Sequence, residues 1–382
     1  MFKTKTMSIK LKRLKIKNFK CFLEEKTFDF SKLTILTGGN SSGKSSILHA
    51  ILGAVQSGEF PYNFSPNGKY VNMGDFKEIS NKHLSKDIKL EFTFKHMKLK
   101  SEYVFNTIWR NNKANSLPEL KSLDLKSADT NMILKKKVGR SYSLTFSYDP
   151  EKDSDYDQAK QMELKEEMIK SFMNSQTLNS GKKQKDFERE LKRQKLYIET
   201  MFKKITINFI VKDLENIQEE AKNHNNINLN YTLDGLVRIM WWKYSDVINA
   251  ISSFRHHPDR TYLEQSKDKL KVDKSGDGYL DQIILWEKRK SPKFKELQNI
   301  MKDDLKLLDS MSTNRMMGGG RYEVLVKTKD AGTETSLFDV GYGISQFLPV
   351  IVADLQLPEG STLFVAEPEI HLHPNVQAAF GD

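Results

Sequence analysis

A glycine-rich segment that follows a short apolar run limits what this chain can fold into. Residues 38–45 read Gly-Gly-Asn-Ser-Ser-Gly-Lys-Ser and match the pattern G-x-x-x-x-G-K-[ST]. Leu33–Leu36 before it predicts a short buried strand, and Ser46–Leu52 after it predicts the first turns of a helix. Strand, glycine loop and helix in this order are the context that a phosphate-binding loop requires, so the sequence predicts a nucleotide-binding α/β fold.

The residue types in this loop suit ATP with Mg²⁺. The glycines allow backbone N–H groups to curl around a phosphate, and the dipole of the following helix favours negative charge there. We expect Lys44 to reach the β- and γ-phosphates and the Ser45 hydroxyl to bind Mg²⁺. The alternative is a glycine-rich turn without a ligand. The predicted nucleotide-binding residues of this loop are Gly38, Asn40, Ser41, Ser42, Gly43, Lys44, Ser45 and Ser46.

Composition limits the partners and the compartment. The 382 residues carry 61 Lys and Arg against 50 Asp and Glu, a formal net charge of +11. This charge suits DNA or another nucleic acid, although scattered lysines on a solvated surface explain it as well. Cys21 is the only cysteine, which excludes an internal disulfide and suits a reducing cytoplasm. No apolar run approaches the roughly 20 residues of a membrane-spanning helix, and the basic N-terminus lacks a signal peptide's apolar segment, so no membrane partner is expected.

Hydrophobic alternation in residues 1–94 predicts the N-terminal half of a nucleotide-binding core. Strands are predicted within Ile9–Phe22, near Lys26–Phe30 and at Ile88–Phe94. The helix after the loop is expected to end near residues 56–58, where a Pro- and Gly-punctuated excursion begins.

Residues 95–230 differ in character and are predicted to be a charged, mostly helical insertion. Ser141–Phe146 indicates a strand, whereas 151–220 is rich in Lys, Glu, Asp and Gln, with apolar residues at loose helical spacing. Phe187–Met201 is predicted to be helical. The insertion is interpreted as a helical lid or accessory lobe, or alternatively as a docking arm for a partner or nucleic acid.

Residues 231–382 return to α/β character and are assigned to the C-terminal half of the core. Tyr231–Ile251 predicts a buried helix, and Tyr322–Lys327 predicts a strand. His256 and His257 follow each other and could bind a metal, but a surface loop is the favoured interpretation because no second group of ligands is near.

Two motifs near the end of the chain add chemistry. Leu337–Gln346 is a glycine turn that passes into the apolar helix Phe347–Leu355, and N–H groups at a helix N-terminus can bind an anion. Thr362–Val365 predicts a buried parallel strand with Glu367 just beyond its end. A carboxylate at that place is what Mg²⁺ and a hydrolytic water need beside a phosphate loop, so Glu367 is also a predicted metal-side residue.

These motifs, in this order along the chain, resemble the ABC/SMC-type AAA ATPases. The resemblance rests on residues 38–45, on Gly341–Gln346 and on residues 367–374, which read Glu-Pro-Glu-Ile-His-Leu-His-Pro. Within that group the chain resembles the OLD-like and Septu-type ATPases of prokaryotic antiphage defence, to which Asn18–Lys20 and Val71–Asp75 are also similar.

The resemblance implies a fold and residue roles. The fold would be an α/β P-loop NTPase of the ABC/SMC-head type, a mixed sheet flanked by helices. Such ATPases form homodimers or higher oligomers with ATP between two protomers. Gly343, Ser345 and Gln346 would close on the γ-phosphate from the facing protomer, Glu367 would polarise the attacking water, and His373 would lie near the dimer-side loop.

The chain departs from the family's pattern at two places. The residue before the catalytic position is usually acidic in the family, and here it is Ala366. That difference implies ATP binding with slow hydrolysis. The chain ends at Asp382, where the family continues with a helix, a strand and a γ-phosphate-sensing histidine, so a shortened C-terminus is expected.

Two classes of function remain after this reasoning. The first is an ATP-binding sensor or scaffold that controls a separate effector nuclease in antiphage defence. The second is an SMC-like DNA-maintenance or repair ATPase that clamps DNA directly. The first is favoured, because repair ATPases of the SMC type carry long heptad arms and the heptad signal of 95–230 is irregular.

Overall fold

The chain divides into two units, residues 1–246 and 247–382. The computed structural model describes residues 9–96, 102–152, 203–223, 247–263, 271–317, 320–328 and 332–381, together with the isolated positions 166, 167, 170, 192, 229 and 233. Each unit has its own set of helices and strands and is treated by itself.

The first unit is built on an antiparallel sheet. Its strands are β1 (Ile9–Lys17), β2 (Lys26–Asp29), β3 (Ile88–His96), β4 (Glu102–Asn111), β5 (Pro118–Lys126), β6 (Thr130–Lys136), β7 (Tyr142–Tyr148) and β8 (Ile205–Val211). The eight strands pair in the order β2-β1-β3-β4-β5-β6-β7-β8. The described helices of this unit are α1 (Lys44–Gln56), α2 (Phe76–Ile79) and α3 (Ile217–Asn223).

Alternating apolar residues explain why these segments form a sheet. In β7 Tyr142, Leu144 and Phe146 are buried, and the residues between them, Ser143 and Thr145, are half-buried and hydroxylic. The same alternation in the neighbouring strands puts one apolar row after another on a single face of the sheet. Removing each such side chain from water stabilises the fold by about 1.5–3 kcal/mol. The buried row includes Leu14, Leu90, Phe92, Phe105, Trp109, Leu123, Leu125, Leu134, Leu144 and Phe146.

The second unit contains shorter sheets and a helical layer. Its strands are β9 (Ile248–Ile251), β10 (Tyr262–Leu263), β11 (Ser310–Arg315), β12 (Arg321–Lys327), β13 (Thr335–Ser336) and β14 (Thr362–Val365), and its helices are α4 (Tyr279–Lys288), α5 (Pro292–Asn299), α6 (Tyr342–Gln356) and α7 (Pro374–Gly381). Strands β10, β12, β11 and β13 form an antiparallel sheet, while β14 pairs with β9 in parallel. Helix α6 contributes the fully buried Phe347, Leu348 and Val352 to the core of this unit.

Several sequence predictions are confirmed. Alternation correctly predicts β1, β2, β3, β7 and β12, and β14 is the predicted parallel strand. Helix α1 ends within the predicted range, at Gln56.

The predicted mostly helical insertion at 95–230 is wrong for residues 102–148 and 205–211. Most of 151–202 lies outside the described residues, and its described positions 166, 167, 170 and 192 are helical, as is α3. Residues 102–148 form four strands of the antiparallel sheet, and Ile205–Val211 adds β8. In β5, for example, lysine and acidic side chains occupy most of the positions between the buried residues, so a polar composition conceals a period of two. The predicted helix Phe187–Met201 lies outside the described residues, except for position 192.

Two further predictions are corrected. Tyr231–Ile251 is not one buried helix, because Ile248–Ile251 is a strand that pairs with β14; residues 231–246 lie outside the described residues apart from position 233. Leu33–Leu36 is not a buried strand, since Leu33 and Ile35 are each 73% exposed and none of the described strands pairs with them. An apolar segment becomes a strand only where a neighbour accepts and donates its backbone hydrogen bonds. The described part of the chain has the expected mixed α/β content, but its strands form a large antiparallel sheet, a smaller antiparallel sheet and a parallel pair instead of the expected mixed sheet.

Candidate functional site

The predicted phosphate loop is a tight turn held by positive φ angles. Gly38, Ser41 and Gly43 have φ values of 144°, 62° and 103°. A side chain at Gly43 would bring a Cβ to 2.6 Å from Cys21 Sγ and 2.8 Å from Phe22 Cζ, so only glycine fits there. The loop is thus shaped by its own glycines and by the turn that packs behind it.

Lys44 is a half-buried cation at the start of α1. Its Nζ donates hydrogen bonds to the carbonyl oxygens of Gly38 at 2.6 Å and Gly39 at 2.9 Å. Ser45, the predicted Mg²⁺ ligand, is exposed, whereas the Ser46 hydroxyl lies 3.7 Å from Cys21 Sγ. The first N–H groups of a helix have no partner inside it, so this loop brings an ammonium, free N–H groups and a hydroxyl together. The predicted residues Asn40, Ser41 and Ser42 are exposed in the same loop.

Helix α1 is anchored at its far end by packing and side-chain hydrogen bonds. Gly53 faces Phe64 and Met73 so closely that an added Cβ would lie 2.9 Å from each. Phe64 in turn contacts Trp109 of β4, with ring centroids 5.7 Å apart. The Gln56 side chain accepts hydrogen bonds from the backbone of the following loop and donates to it. The helix that carries the phosphate loop is therefore fixed to the large sheet through aromatic contacts.

The segments Asn18–Lys20 and Val71–Asp75 meet beside the phosphate loop. Asn18 and Lys20 have positive φ and form a turn in which Phe19 is fully buried. The Lys20 ammonium donates to the carbonyl of Met73 at 3.2 Å, which joins this turn to residues 71–75. The next residues of the turn, Cys21 and Phe22, are those that contact Gly43. Burial lowers the pKa of Lys20, and the nearby Glu78 carboxylate opposes this effect.

His49 on α1 should make the stability of this region depend on pH. Burial, and then the charge of Lys20, lower the pKa of His49 from its ordinary value of 6.5. As the pH falls below that value the unfolded chain binds a proton that the folded protein resists, so the free energy of unfolding falls, by at most about 1.4 kcal/mol per pH unit. We expect the melting temperature of His49→Gln to decrease less than that of the natural chain when the pH is lowered from about 7.5 to about 5.5.

The matched control for His49 is His83→Gln, since His83 is exposed. Its melting temperature should change with pH as that of the natural chain does. An equal pH dependence for His49→Gln and the natural chain would contradict the assignment.

In the second unit, the predicted anion-binding turn opens α6. The helix begins at Tyr342, earlier than the predicted Phe347, so Gly343 lies in its first turn. A Cβ on Gly343 would lie 2.5 Å from the carbonyl oxygen of His371, which explains the glycine. Gly341 and Tyr342 are exposed, and the Ile344 N–H group donates to the Gly341 carbonyl at 3.1 Å. The other N–H groups of the first helical turn have no acceptor within the helix.

The side chains of Ser345 and Gln346 point into the unit. Ser345 is fully buried and its hydroxyl donates to the Tyr342 carbonyl at 3.0 Å. Gln346 is also buried, and its amide lies 3.4 Å from the His256 carbonyl oxygen. In this arrangement a phosphate at the turn would meet backbone N–H groups rather than these two side chains.

The predicted catalytic carboxylate follows the parallel pair of strands. The N–H group of Ala366 donates to the Ile251 carbonyl at 2.9 Å, which extends the pairing of β14 and β9 by one residue. Glu367 then turns with a φ of 50° and is exposed. His373 is exposed as well, and its Nδ1 accepts a hydrogen bond from the N–H group of Asn375 at the start of α7, 3.4 Å away.

An aromatic cluster surrounds Tyr342. The ring of His257 stacks on Tyr342 at 5.2 Å, and His371 meets it edge-on at 4.8 Å. Phe338 contacts His257, and Arg260 lies over the Phe338 ring. His256 instead pairs with Asp277 at 2.9 Å. Among the described residues, no group of three His, Cys, Asp or Glu side chains is arranged to hold a metal ion.

Arg255 is a site residue that the sequence analysis did not identify. It is 2% exposed, and its guanidinium donates to the carbonyls of Gln346, Ala366 and Glu367. It therefore touches both predicted motifs of this unit. An arginine that follows a buried strand was the available signal, but a single arginine on a loop has no distinguishing pattern.

Comparison with known families decides the family of this chain. Residues 9–382 match the family described as AAA ATPase domain. The chain belongs to this family. Since the match covers nearly the whole chain, the AAA ATPase assignment includes both units and not the phosphate loop alone. A search of curated proteins found no match to this AAA ATPase.

Membership in this family indicates which ligand the phosphate loop binds. AAA ATPases bind ATP through a P-loop and use a divalent metal, commonly Mg²⁺. Within the described residues of this AAA ATPase, none of the helices has the length and apolar character needed to cross a membrane.

Proposed function

We propose that this AAA ATPase binds ATP with Mg²⁺ at the loop Gly38–Ser46. The observation that carries the proposal is the Lys44 ammonium held against the carbonyls of Gly38 and Gly39 at the N-terminus of α1. Lys44 would hold the β- and γ-phosphates, and backbone N–H groups of the loop would surround them. The exposed Ser45 hydroxyl would be a Mg²⁺ ligand.

We propose that Glu367 polarises the hydrolytic water and that turnover is slow. Two observations support this role: Glu367 is exposed, and its backbone carbonyl accepts a hydrogen bond from Arg255. A second carboxylate would ordinarily help to place Mg²⁺ through water, and Ala366 cannot. The expected behaviour is ATP binding with hydrolysis below about 1 per second, the low end of ordinary enzyme rates.

We also propose that the protein dimerises around ATP, with the Gly341–Gln346 turn of one protomer closing on the nucleotide of the other. The support is chemical: the turn presents N–H groups of a helix N-terminus beside the exposed Tyr342. Ser345 and Gln346 would act by fixing the shape of this turn from inside, since both side chains are buried.

The dimer proposal predicts that Tyr342→Glu loses ATP-dependent association. A carboxylate at the first position of α6 would repel the facing phosphate, while the helix dipole tolerates or favours it in the isolated protomer. Light scattering with and without ATP, at micromolar protein, measures the effect. Each protomer of the variant should still bind ATP like the natural chain.

Tyr342→Gln is the matched control, because it removes the same ring contacts with His257 and His371 without adding charge. It should associate with ATP. Association that is equal in both variants, or a natural chain that stays monomeric with ATP, would rule out the phosphate-facing role of the turn.

For the wider role, we propose a sensor or scaffold subunit that controls a separate effector nuclease in prokaryotic antiphage defence. The proposal rests on the resemblance of the motifs to OLD-like and Septu-type ATPases. It is favoured over a DNA-clamping repair ATPase because the heptad signal of residues 95–230 is short and irregular, whereas repair ATPases of the SMC type carry long heptad arms.

Purification with the product of the neighbouring gene tests this role. Co-elution and ATP-dependent DNA cleavage by the pair, but not by this chain alone, are the expected results. ATP-dependent DNA binding by the chain alone, without any effect of the neighbour, would favour the DNA-maintenance ATPase instead.

A further inference from the structure

Arg255 is held inside the second unit by backbone groups from two distant segments. One guanidinium nitrogen, Nη1, donates to the Gln346 carbonyl at 3.2 Å. The other, Nη2, donates to the carbonyls of Ala366 at 2.8 Å and Glu367 at 3.2 Å. These acceptors lie 91 and 111–112 residues further along the chain. A single planar group therefore joins the N-terminal part of α6 to the two residues that follow β14.

The position of Arg255 is costly for a charged side chain. It is 2% exposed, its Nε has no hydrogen-bond partner among the described residues, and none of their carboxylates lies within ion-pair distance. Burial lowers the pKa of Arg255, and the more distant charges of Glu369 and Glu367 oppose this effect. A guanidinium stays charged even when it is buried, so hydrogen bonds to the carbonyl oxygens must offset the cost of removing this charge from water.

The Glu367 end of this contact is a strained turn. Glu367 has a φ of 50°, a conformation that non-glycine residues adopt at a cost. Its carbonyl also accepts a hydrogen bond from the N–H group of Ile370 at 3.2 Å. Arg255 thus holds the backbone from which the Glu367 carboxylate projects.

The loop that carries Arg255 is braced on both sides. The N–H groups of Ser252 and His256 donate to the carbonyls of Lys274 and Ser275. Next to them, Gly276 has a φ of 88°, and a Cβ there would lie 3.0 Å from Pro349 of α6. The arginine is therefore fixed at its base as well as at its tip.

We propose that Arg255 is a positioning residue that couples the Gly341–Gln346 turn to the Glu367 backbone, so that closure of the turn on a phosphate sets the orientation of the Glu367 carboxylate. This inference rests on the proposed roles of the turn and of Glu367. It assigns no contact between Arg255 and the nucleotide. The proposal means that the Gly341–Gln346 turn and the Glu367 backbone move together and not independently.

Arg255→Lys tests the coupling, because lysine keeps the charge but cannot span both segments with a planar fork. We expect kcat for ATP hydrolysis to fall by about tenfold or more, since a misplaced catalytic group costs that much, with KM for ATP and the amount of ATP bound per chain unchanged. Arg315→Lys is the control, because Arg315 is an exposed arginine at the end of β11, in the same unit but outside both segments. It should keep the natural kcat.

Hydrogen exchange of the natural chain gives a second test that needs neither turnover nor a variant. The amides of Ile370 and Leu372, which donate to Glu367 and Glu369, should exchange with the same opening free energy and denaturant dependence as those of the first turns of α6. Independent opening of the two segments would overturn the proposal, even if Arg255→Lys fails to fold.

The two levels of proposal fail in different ways. If the natural chain does not bind ATP, the proposed function fails, and exchange alone then decides whether Arg255 joins the two segments. If the natural chain binds and hydrolyses ATP while Arg255→Lys keeps both its kcat and the shared opening of the two segments, the inference about Arg255 is wrong.

Discussion

Lys44→Ala is expected to lower the affinity for ATP by about 100-fold or more, which corresponds to about 2.7 kcal/mol. The Lys44 ammonium already contacts the carbonyls of Gly38 and Gly39, and it would supply the positive charge next to the phosphates. Because Lys44 is only half-buried, its loss should leave the fold intact. Fluorescence polarisation of a labelled ATP, with circular dichroism as the folding check, measures both effects.

Lys32→Ala is the control for Lys44→Ala, because Lys32 is an exposed lysine a few residues before the loop. It should bind ATP like the natural chain. If Lys44→Ala keeps the natural affinity, the loop is a glycine-rich turn without a nucleotide.

Glu119→Gln is expected to destabilise the first unit by about 1.5–3 kcal/mol, the range for hydrogen bonds to a charged group, because the buried Lys136 would keep only its contacts with Tyr142. Lys136 is only 6% exposed in its side chain and lies 2.8 Å from Glu119, which Arg110 also contacts at 2.8 Å. Burial acts to raise the pKa of Glu119, and the hydrogen bonds from Lys136 and Arg110 outweigh it, so the pKa lies below its ordinary value. This stabilisation is present above the pKa of the unfolded chain and is lost as the pH falls through the folded value.

Urea unfolding measures the effect of Glu119→Gln, and Glu102→Gln is its control. Glu102 pairs with Lys12, but both side chains are at least 40% exposed, so the change should stay within about 0.5 kcal/mol. A similar small change for both variants would show that the Glu119 pair is no stronger than a surface pair.

Most of the helices and strands that a pattern of neighbouring residues indicates could be predicted from the sequence. The phosphate loop, helix α1 and the alternating strands β1, β3, β7 and β12 follow from patterns of a few residues. The strand Ile205–Val211 alternates in the same way and could have been predicted from that pattern. The polar composition of the residues around it favoured a helix instead. The parallel pairing of Ile248–Ile251 with β14 could not be predicted, since it depends on a partner more than 100 residues away.

The candidate site was predictable in its motifs and not in its contacts. Lys44 and Ser45 carry recognisable chemistry, and Glu367 follows a recognisable strand. The inward direction of Ser345 and Gln346 depends on how α6 packs in its unit, which no spacing reveals. The hydrogen-bond partners of Arg255 are backbone carbonyl groups. Every residue has such a group, so no sequence pattern indicates which ones an arginine will contact.

Calorimetric titration of the natural chain with ATP, with and without Mg²⁺, tests the central claim most directly. The account predicts saturable binding of one ATP per chain that is tighter with Mg²⁺, because Ser45 would be a ligand of the metal. No saturable binding up to about 1 mM ATP, the weak end of ordinary ligand affinities, would contradict it.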